Sequence, residues 1–116
     1  MNGKYFQFGI WLLWLALPLT WSRFRQVWDQ LPARMATHFD FNWQPNGWMT
    51  RETAFWFALG LTAFLLVVFT VISYLIARAP GPELIRWAML GFSYAVVGFV
   101  YAINSWVVQY NLTHKP

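Results

Sequence analysis

Ala54-Phe-Trp-Phe-Ala-Leu-Gly-Leu-Thr-Ala-Phe-Leu-Leu-Val-Val-Phe-Thr-Val-Ile-Ser-Tyr-Leu-Ile-Ala77 runs for 24 residues without a charged side chain. A helix that crosses the hydrocarbon layer of a bilayer needs about 20 apolar residues. Thr50 before the stretch is a helix N-cap candidate, with Glu52 favourably placed in the first turn, and Arg78 marks the exit. The stretch therefore predicts a transmembrane helix over 54–77.

The whole chain has the same character. Of its 116 residues 59% are apolar and 10% charged, whereas soluble domains carry about 25% charged residues. So short a chain has too little interior to hide that much apolar surface in water. Nine Trp, eleven Phe and five Tyr suit the headgroup layer, where amphipathic rings collect. The net charge of +4 is spread thinly. No basic run tracks a phosphate backbone, so nucleic acid is not an expected partner, and anionic headgroups account for the charge more simply. Without cysteine there is no disulfide, thiolate nucleophile or Cys-ligated metal.

Towards the N-terminus, Phe6 to Trp21 is a further charge-free stretch. Only Lys4 precedes it and no small-x-small cleavage pattern follows, so it reads as an uncleaved span rather than a signal peptide. Trp21, Phe24, Trp28 and Leu31 follow 3-4-3 spacing and share one helical face. This predicts an interfacial extension of the first helix that stops at Pro32. Residues 32–50 hold no helical period; Asn42, Pro45, Asn46 and Gly47 are turn formers, and the segment reads as a folded polar loop bracketed by Trp43 and Trp48.

Beyond Arg78, Pro80-Gly81-Pro82 makes a tight connection, with Gly81 capping and Pro82 opening a third span over 84–109. Ala88, Gly91, Ala95, Gly98, Ala102 and Ser105 form a seam of small residues at 3-4-3-4-3 spacing. In lipid, helices associate by close backbone approach, which such a seam permits. Its partner is the first span, the second, or the same seam of another copy. Asn104 is the one amide well inside this span and reads as an interhelical bond, with Tyr94 and Tyr101 on a shared face. Arg23, Arg25, Arg34, Arg51 and Lys115 lie on one side, Lys4, Arg78 and Arg86 on the other. That bias leans towards a cytoplasmic loop. The expected fold is thus all-α and membrane-embedded: one domain over 1–116, spans at 6–21, 54–77 and 84–109, and an interfacial helix and motif loop at 22–53.

The loop Leu31-Pro-Ala-Arg-Met-Ala-Thr-His-Phe-Asp-Phe-Asn42, continuing Trp43-Gln-Pro-Asn-Gly-Trp48, carries a motif. It resembles a bacterial domain of unknown function at the N-terminus of SdpI-type bacteriocin-immunity membrane proteins. That pattern is Leu-Pro-x-x-(Val/Ile)-Pro-x-His-(Phe/Trp)-Asn/Asp, then Gly-x-Pro-Asp-Gly-Trp. Leu31, Pro32, His38, Phe39, Asp40, Pro45, Gly47 and Trp48 match it. Ala36 stands for the second proline, Trp43 for the first glycine and Asn46 for the aspartate. The resemblance covers about residues 6–77 and implies a bacterial inner-membrane location, multi-pass, and in some members toxin immunity.

His38, two residues from Asp40, invites a metal reading, but two ligands are too few for zinc and His114 lies in the tail. The plainer expectation is an imidazole hydrogen-bonded within the loop, which protonation at mildly acidic pH would tune. Asn111-Leu112-Thr113 matches a glycosylation acceptor, read as coincidence so near the C-terminus. Asp29, Asp40, Glu52 and Glu83 lie outside the spans and form no pair. The sequence asks for no cofactor and no enzyme chemistry. Three functions follow as expectations. One is a non-enzymatic, SdpI-like binding protein whose loop, with Arg34, His38, Asp40 and Trp48, meets a peptide, toxin or partner membrane protein. The second is a subunit of a transporter or larger assembly, homo-oligomers included, docking through the seam. The third is a metal-dependent factor using His38.

Overall fold

The computed structural model describes residues 3–114. Lys115, one of the five basic residues assigned to the loop side, lies outside them. The N-terminal helix is not one rod but α1 (Gly3–Leu12), a 3-10 turn at Leu13–Leu15 and α2 (Ala16–Arg25). Pro18 explains the interruption. It has no amide hydrogen for the Trp14 carbonyl four residues back, and its ring crowds that carbonyl; the backbone there tightens into a 3-10 turn.

The extension expected through Leu31 ends earlier. Helical geometry is lost at Val27 (φ −121°, ψ 16°), and only a 3-10 turn at Trp28–Gln30 follows. Leu31 is extended (φ −76°, ψ 140°), as a residue before proline prefers. Of the four residues on the expected face, Phe24 and Leu31 are buried, Trp28 is half-buried and Trp21 is exposed.

The expected polar loop is an antiparallel hairpin, which corrects the all-α expectation. Strand β1 (Arg34–Phe39) pairs with β2 (Pro45–Thr50), with Arg34 opposite Thr50, Met35 opposite Met49, Ala36 opposite Trp48 and His38 opposite Gly47. The register slips at Thr37 on one strand and Asn46 on the other. Each slip inserts an unpaired residue and turns the following side chains to the other face. An isolated two-stranded ribbon is marginal in water. This one is held by Met35, fully buried in the helix core, with Met49 packed beside it.

Thr50 caps α3 (Arg51–Arg78), its Oγ1 accepting from the Thr53 amide at 3.1 Å. Gly81, at φ 148°, turns the chain into α4 (Glu83–Thr113). L side chains rarely adopt that angle, so glycine is required there. At 28 and 31 residues, α3 and α4 extend roughly 42 and 46 Å at 1.5 Å per residue. These two helices are long and apolar enough to cross a membrane. The N-terminal helix is cut into two ten-residue pieces, of which the second carries Arg23 and Arg25 and is not clearly apolar.

The helices run up, down and up, and three buried clusters follow the bundle axis. Phe6, Ile10 and Leu90 sit at one end, Leu13, Leu66, Phe69 and Val97 in the middle, and Phe24, Met35, Phe55 and Val108 beneath the hairpin. Polar side chains stitch the helices together. Trp14 Nε1 donates to Thr70 Oγ1 at 2.9 Å, Trp11 Nε1 to the Tyr74 hydroxyl at 3.0 Å, and the Tyr94 hydroxyl to the Gly9 carbonyl at 2.6 Å.

Candidate functional site

Asp40 builds the hairpin tip. Its Oδ1 accepts from the amides of Asn42 at 2.8 Å and Gln44 at 3.0 Å, while its carbonyl accepts from Trp43 N at 3.0 Å. This is a turn followed by one left-handed residue, a common three-residue hairpin closure. The left-handed residue is Trp43 (φ 60°), the position of the first glycine in the pattern the loop resembles. A left-handed angle at a residue with a Cβ costs about 1–2 kcal/mol. The indole recovers part of it edge-on to Trp106, centroids 5.5 Å apart.

Trp106 and Tyr110 on α4 and His114, the residue that caps its C-terminus, recur every four residues and form a ladder. Phe39 packs edge-on between Trp106 (4.8 Å) and Tyr110 (4.9 Å), and Tyr110 stacks on the His114 ring at 4.0 Å. Beside the ladder Asn111, 4% exposed, clamps the hairpin. Its Oδ1 accepts from Ala36 N, and its Nδ2 donates to Ala36 O and to Val107 O, each at 2.8 Å. Every hydrogen-bonding atom of this buried amide is engaged.

The base of the hairpin is fixed by Arg51. It donates through Nη1 to the carbonyls of Trp28 (3.0 Å) and Leu31 (3.4 Å), and its guanidinium lies 5.0 Å from the Trp28 ring. Arg25 lies 4.8 Å from the same indole.

Between the outer edge of the hairpin and the last turns of α4 lies a cleft of about 550 Å³, lined by Arg34, Pro45, Trp48, Tyr110 and His114 over the Ala36–Asn111 clamp. Its chemistry is a cation set among aromatic faces and a proline, with Trp48 50% exposed. Arg34 and the ring faces can take a carboxylate next to an apolar or aromatic side chain.

The motif residues divide by role. Arg34, Pro45 and Trp48 line the cleft, Asp40 makes the tip, and Phe39 anchors it. Leu31 is core and Pro32 half-buried. His38 Nδ1 donates to Asn46 Oδ1. Gly47 lies across from His38, and a Cβ there would come within 2.8 Å of the His38 Cβ. Among the described residues no three His, Asp or Glu side chains gather where a metal could sit. The seam of Ala88, Gly91, Ala95, Gly98 and Ala102 is exposed and Ser105 half-exposed, and nothing lies within 4 Å of a Cβ built at Gly91 or Gly98. Neither of the other helices fills it. Asn104 Nδ2 is buried without a partner among the described residues. From the sequence His114 reads only as a tail residue and Asn111 only as part of a glycosylation pattern, and Trp106 and Tyr110 are not singled out; the four-residue spacing of the rings was the available signal.

A helical chain with two helices fit to cross a bilayer, capped at one end by a hairpin docked on the second of them, α4, is the class these observations define. Residues 8–62 are similar to the family described as a domain of unknown function (DUF1648), whose model matches them. The match takes in α2, the hairpin and the start of α3, and leaves α4 outside. No curated protein and no solved structure matches the chain.

Proposed function

We propose that the chain is a three-pass bacterial inner-membrane protein that acts by binding, not catalysis, receiving a peptide segment of a toxin or partner membrane protein in the cleft between hairpin and α4. An SdpI-like immunity or accessory role is one form of this reading. The observation that carries it is the cleft itself: the motif loop folds so that Arg34, Pro45 and Trp48 meet Tyr110 and His114 around about 550 Å³. The α1–α2 element serves as the third span, its 3-10 turn keeping the backbone hydrogen-bonded as lipid demands. Aromatic rims with one cation select peptides carrying a carboxylate beside an apolar side chain. Arg34→Gln and Trp48→Ala should each abolish partner capture in mild detergent while membrane insertion is unchanged. A photo-crosslinker placed at Pro45, which lines the same cleft, should trap that partner. Capture unaffected by either substitution refutes the binding site, and a purified chain monodisperse in detergent-free buffer refutes the membrane placement.

The uncovered seam on α4 favours a second reading, a subunit of a larger assembly. Gly91 and Gly98 are exposed and a Cβ at either has nothing within 4 Å, so Gly91→Leu and Gly98→Leu should leave the monomer folded and dissolve an assembly that uses the seam. An unchanged complex size in both variants excludes it.

A further inference from the structure

At the end of the bundle opposite the hairpin, α1, the end of α3 and the start of α4 enclose a cavity of about 560 Å³. Its floor is apolar, with Phe6 and Ile10 almost completely buried, and its rim is polar. Arg78 closes α3 and Arg86 opens α4, so the Pro80-Gly81-Pro82 turn brings two guanidiniums to one cavity. Among the described residues neither has a hydrogen bond or an ion pair. Tyr74, which accepts from Trp11 Nε1, keeps its own O–H to donate, and Gln7 adds a side-chain amide. Glu83, the one acid of the lining, already has a partner within the chain.

We infer that this cavity binds a phosphate-bearing anion, with the phosphate between Arg78 and Arg86 and an apolar portion against Phe6 and Ile10. Two guanidiniums without a partner among the described residues supply forked donors matched to phosphate oxygens. The volume is within the about 300–1,000 Å³ usual for small-ligand sites. A phospholipid headgroup, which basic pockets between membrane helices recognise, and a free phosphate compound share this chemistry. The lipid arm rests on the membrane placement proposed above; the free-phosphate arm does not.

Native mass spectrometry of the full chain in neutral detergent, with phosphatidylglycerol or phosphatidylcholine added, tests the inference together with thermal unfolding in rising inorganic phosphate. Preferential retention of phosphatidylglycerol, weakened at least about tenfold in the Arg78→Gln, Arg86→Gln double variant as the loss of charge-assisted bonds implies, supports a lipid headgroup. Stabilisation by inorganic phosphate, lost in the same variant, supports a free phosphate compound. Arg23→Gln with Arg25→Gln, at the hairpin end, should leave both readouts unchanged. Equal retention of the two lipids together with no phosphate effect overturns the inference, as does an equal loss in the Arg23/Arg25 variant. Should the Arg78/Arg86 variant fail to fold, the wild-type comparison of the two lipids and of phosphate decides alone. Were the chain to prove soluble without detergent, the phosphate titration would still read the site.

Discussion

Replacing Asn111 by alanine should loosen the hairpin more than any exposed polar substitution. The side chain makes two bonds to Ala36 and one to Val107, all at 2.8 Å, and is 4% exposed. Alanine leaves the amide and carbonyl of Ala36, itself 4% exposed, without their side-chain partner. Two lost bonds at about 1 kcal/mol each, with the added penalty of an orphaned buried donor, sum to about 2–3 kcal/mol. If the loss falls on hairpin docking, the open population rises roughly 30- to 150-fold, since each 1.4 kcal/mol is a factor of ten. Amide exchange of a peptide covering 34–39, measured by mass spectrometry in detergent or nanodiscs, should accelerate by that factor. Gln109→Ala, which removes only an exposed acceptor for Arg23, should leave it unchanged. Ala36→Pro removes the same donor from the other side, so Asn111→Ala should cost less in that background than in the wild type. Unaltered exchange over 34–39 in Asn111→Ala, or strictly additive effects of the two substitutions, would refute the clamp.

Gly47→Ala forces a Cβ to within 2.8 Å of the His38 Cβ; overpacking of this kind costs about 1–3 kcal/mol, read as a lower thermal midpoint, and an unchanged midpoint contradicts the register. Trp43→Gly relieves the left-handed angle while losing the contact with Trp106, whereas Trp43→Ala loses the contact and keeps the strain. The glycine variant should therefore be the more stable of the two by about 1 kcal/mol in chemical unfolding, and the reverse order rules out the φ argument. Arg51→Lys keeps the charge but loses the longer, planar guanidinium that reaches the Trp28 and Leu31 carbonyls through Nη1 and lies 5.0 Å from the Trp28 ring. It should lower the unfolding midpoint by the equivalent of about 1–2 kcal/mol, while Arg51→Lys equal to wild type would leave the guanidinium's reach and ring contact without a role.

What could be read from residues alone was what local chemistry decides. The charge-free run 54–77 marks α3 because it is long and apolar enough to cross a membrane, and Thr50 and Gly81 announce their roles through side-chain capping and backbone freedom. The hairpin was hidden because slips at Thr37 and Asn46 break the two-residue alternation, and because Pro45 and Gly47 look like loop chemistry. The 3-10 turn was hidden because Pro18 sits in an apolar window that otherwise reads as continuous helix. Arg34, Pro45 and Trp48, half of the cleft, were visible as motif residues. The other half, Tyr110 and His114, joins them only through tertiary folding, from a helix that reads as the end of a span.

The positions where the loop departs from the pattern it resembles are informative in this light. Proline at position 36 could not donate to Asn111, and glycine at 43 would have no ring for Trp106. Here Ala36 donates to Asn111 and Trp43 packs on Trp106. Both answering residues lie on α4, beyond the 8–62 segment that the family model matches. The third departure, Asn46, is answered within the hairpin by His38. Two of the three substitutions thus couple the loop to a helix outside the matched segment. The cleft accordingly belongs to the hairpin and α4 together, and the identity of the last turns of α4 should govern what it binds as strongly as the motif does.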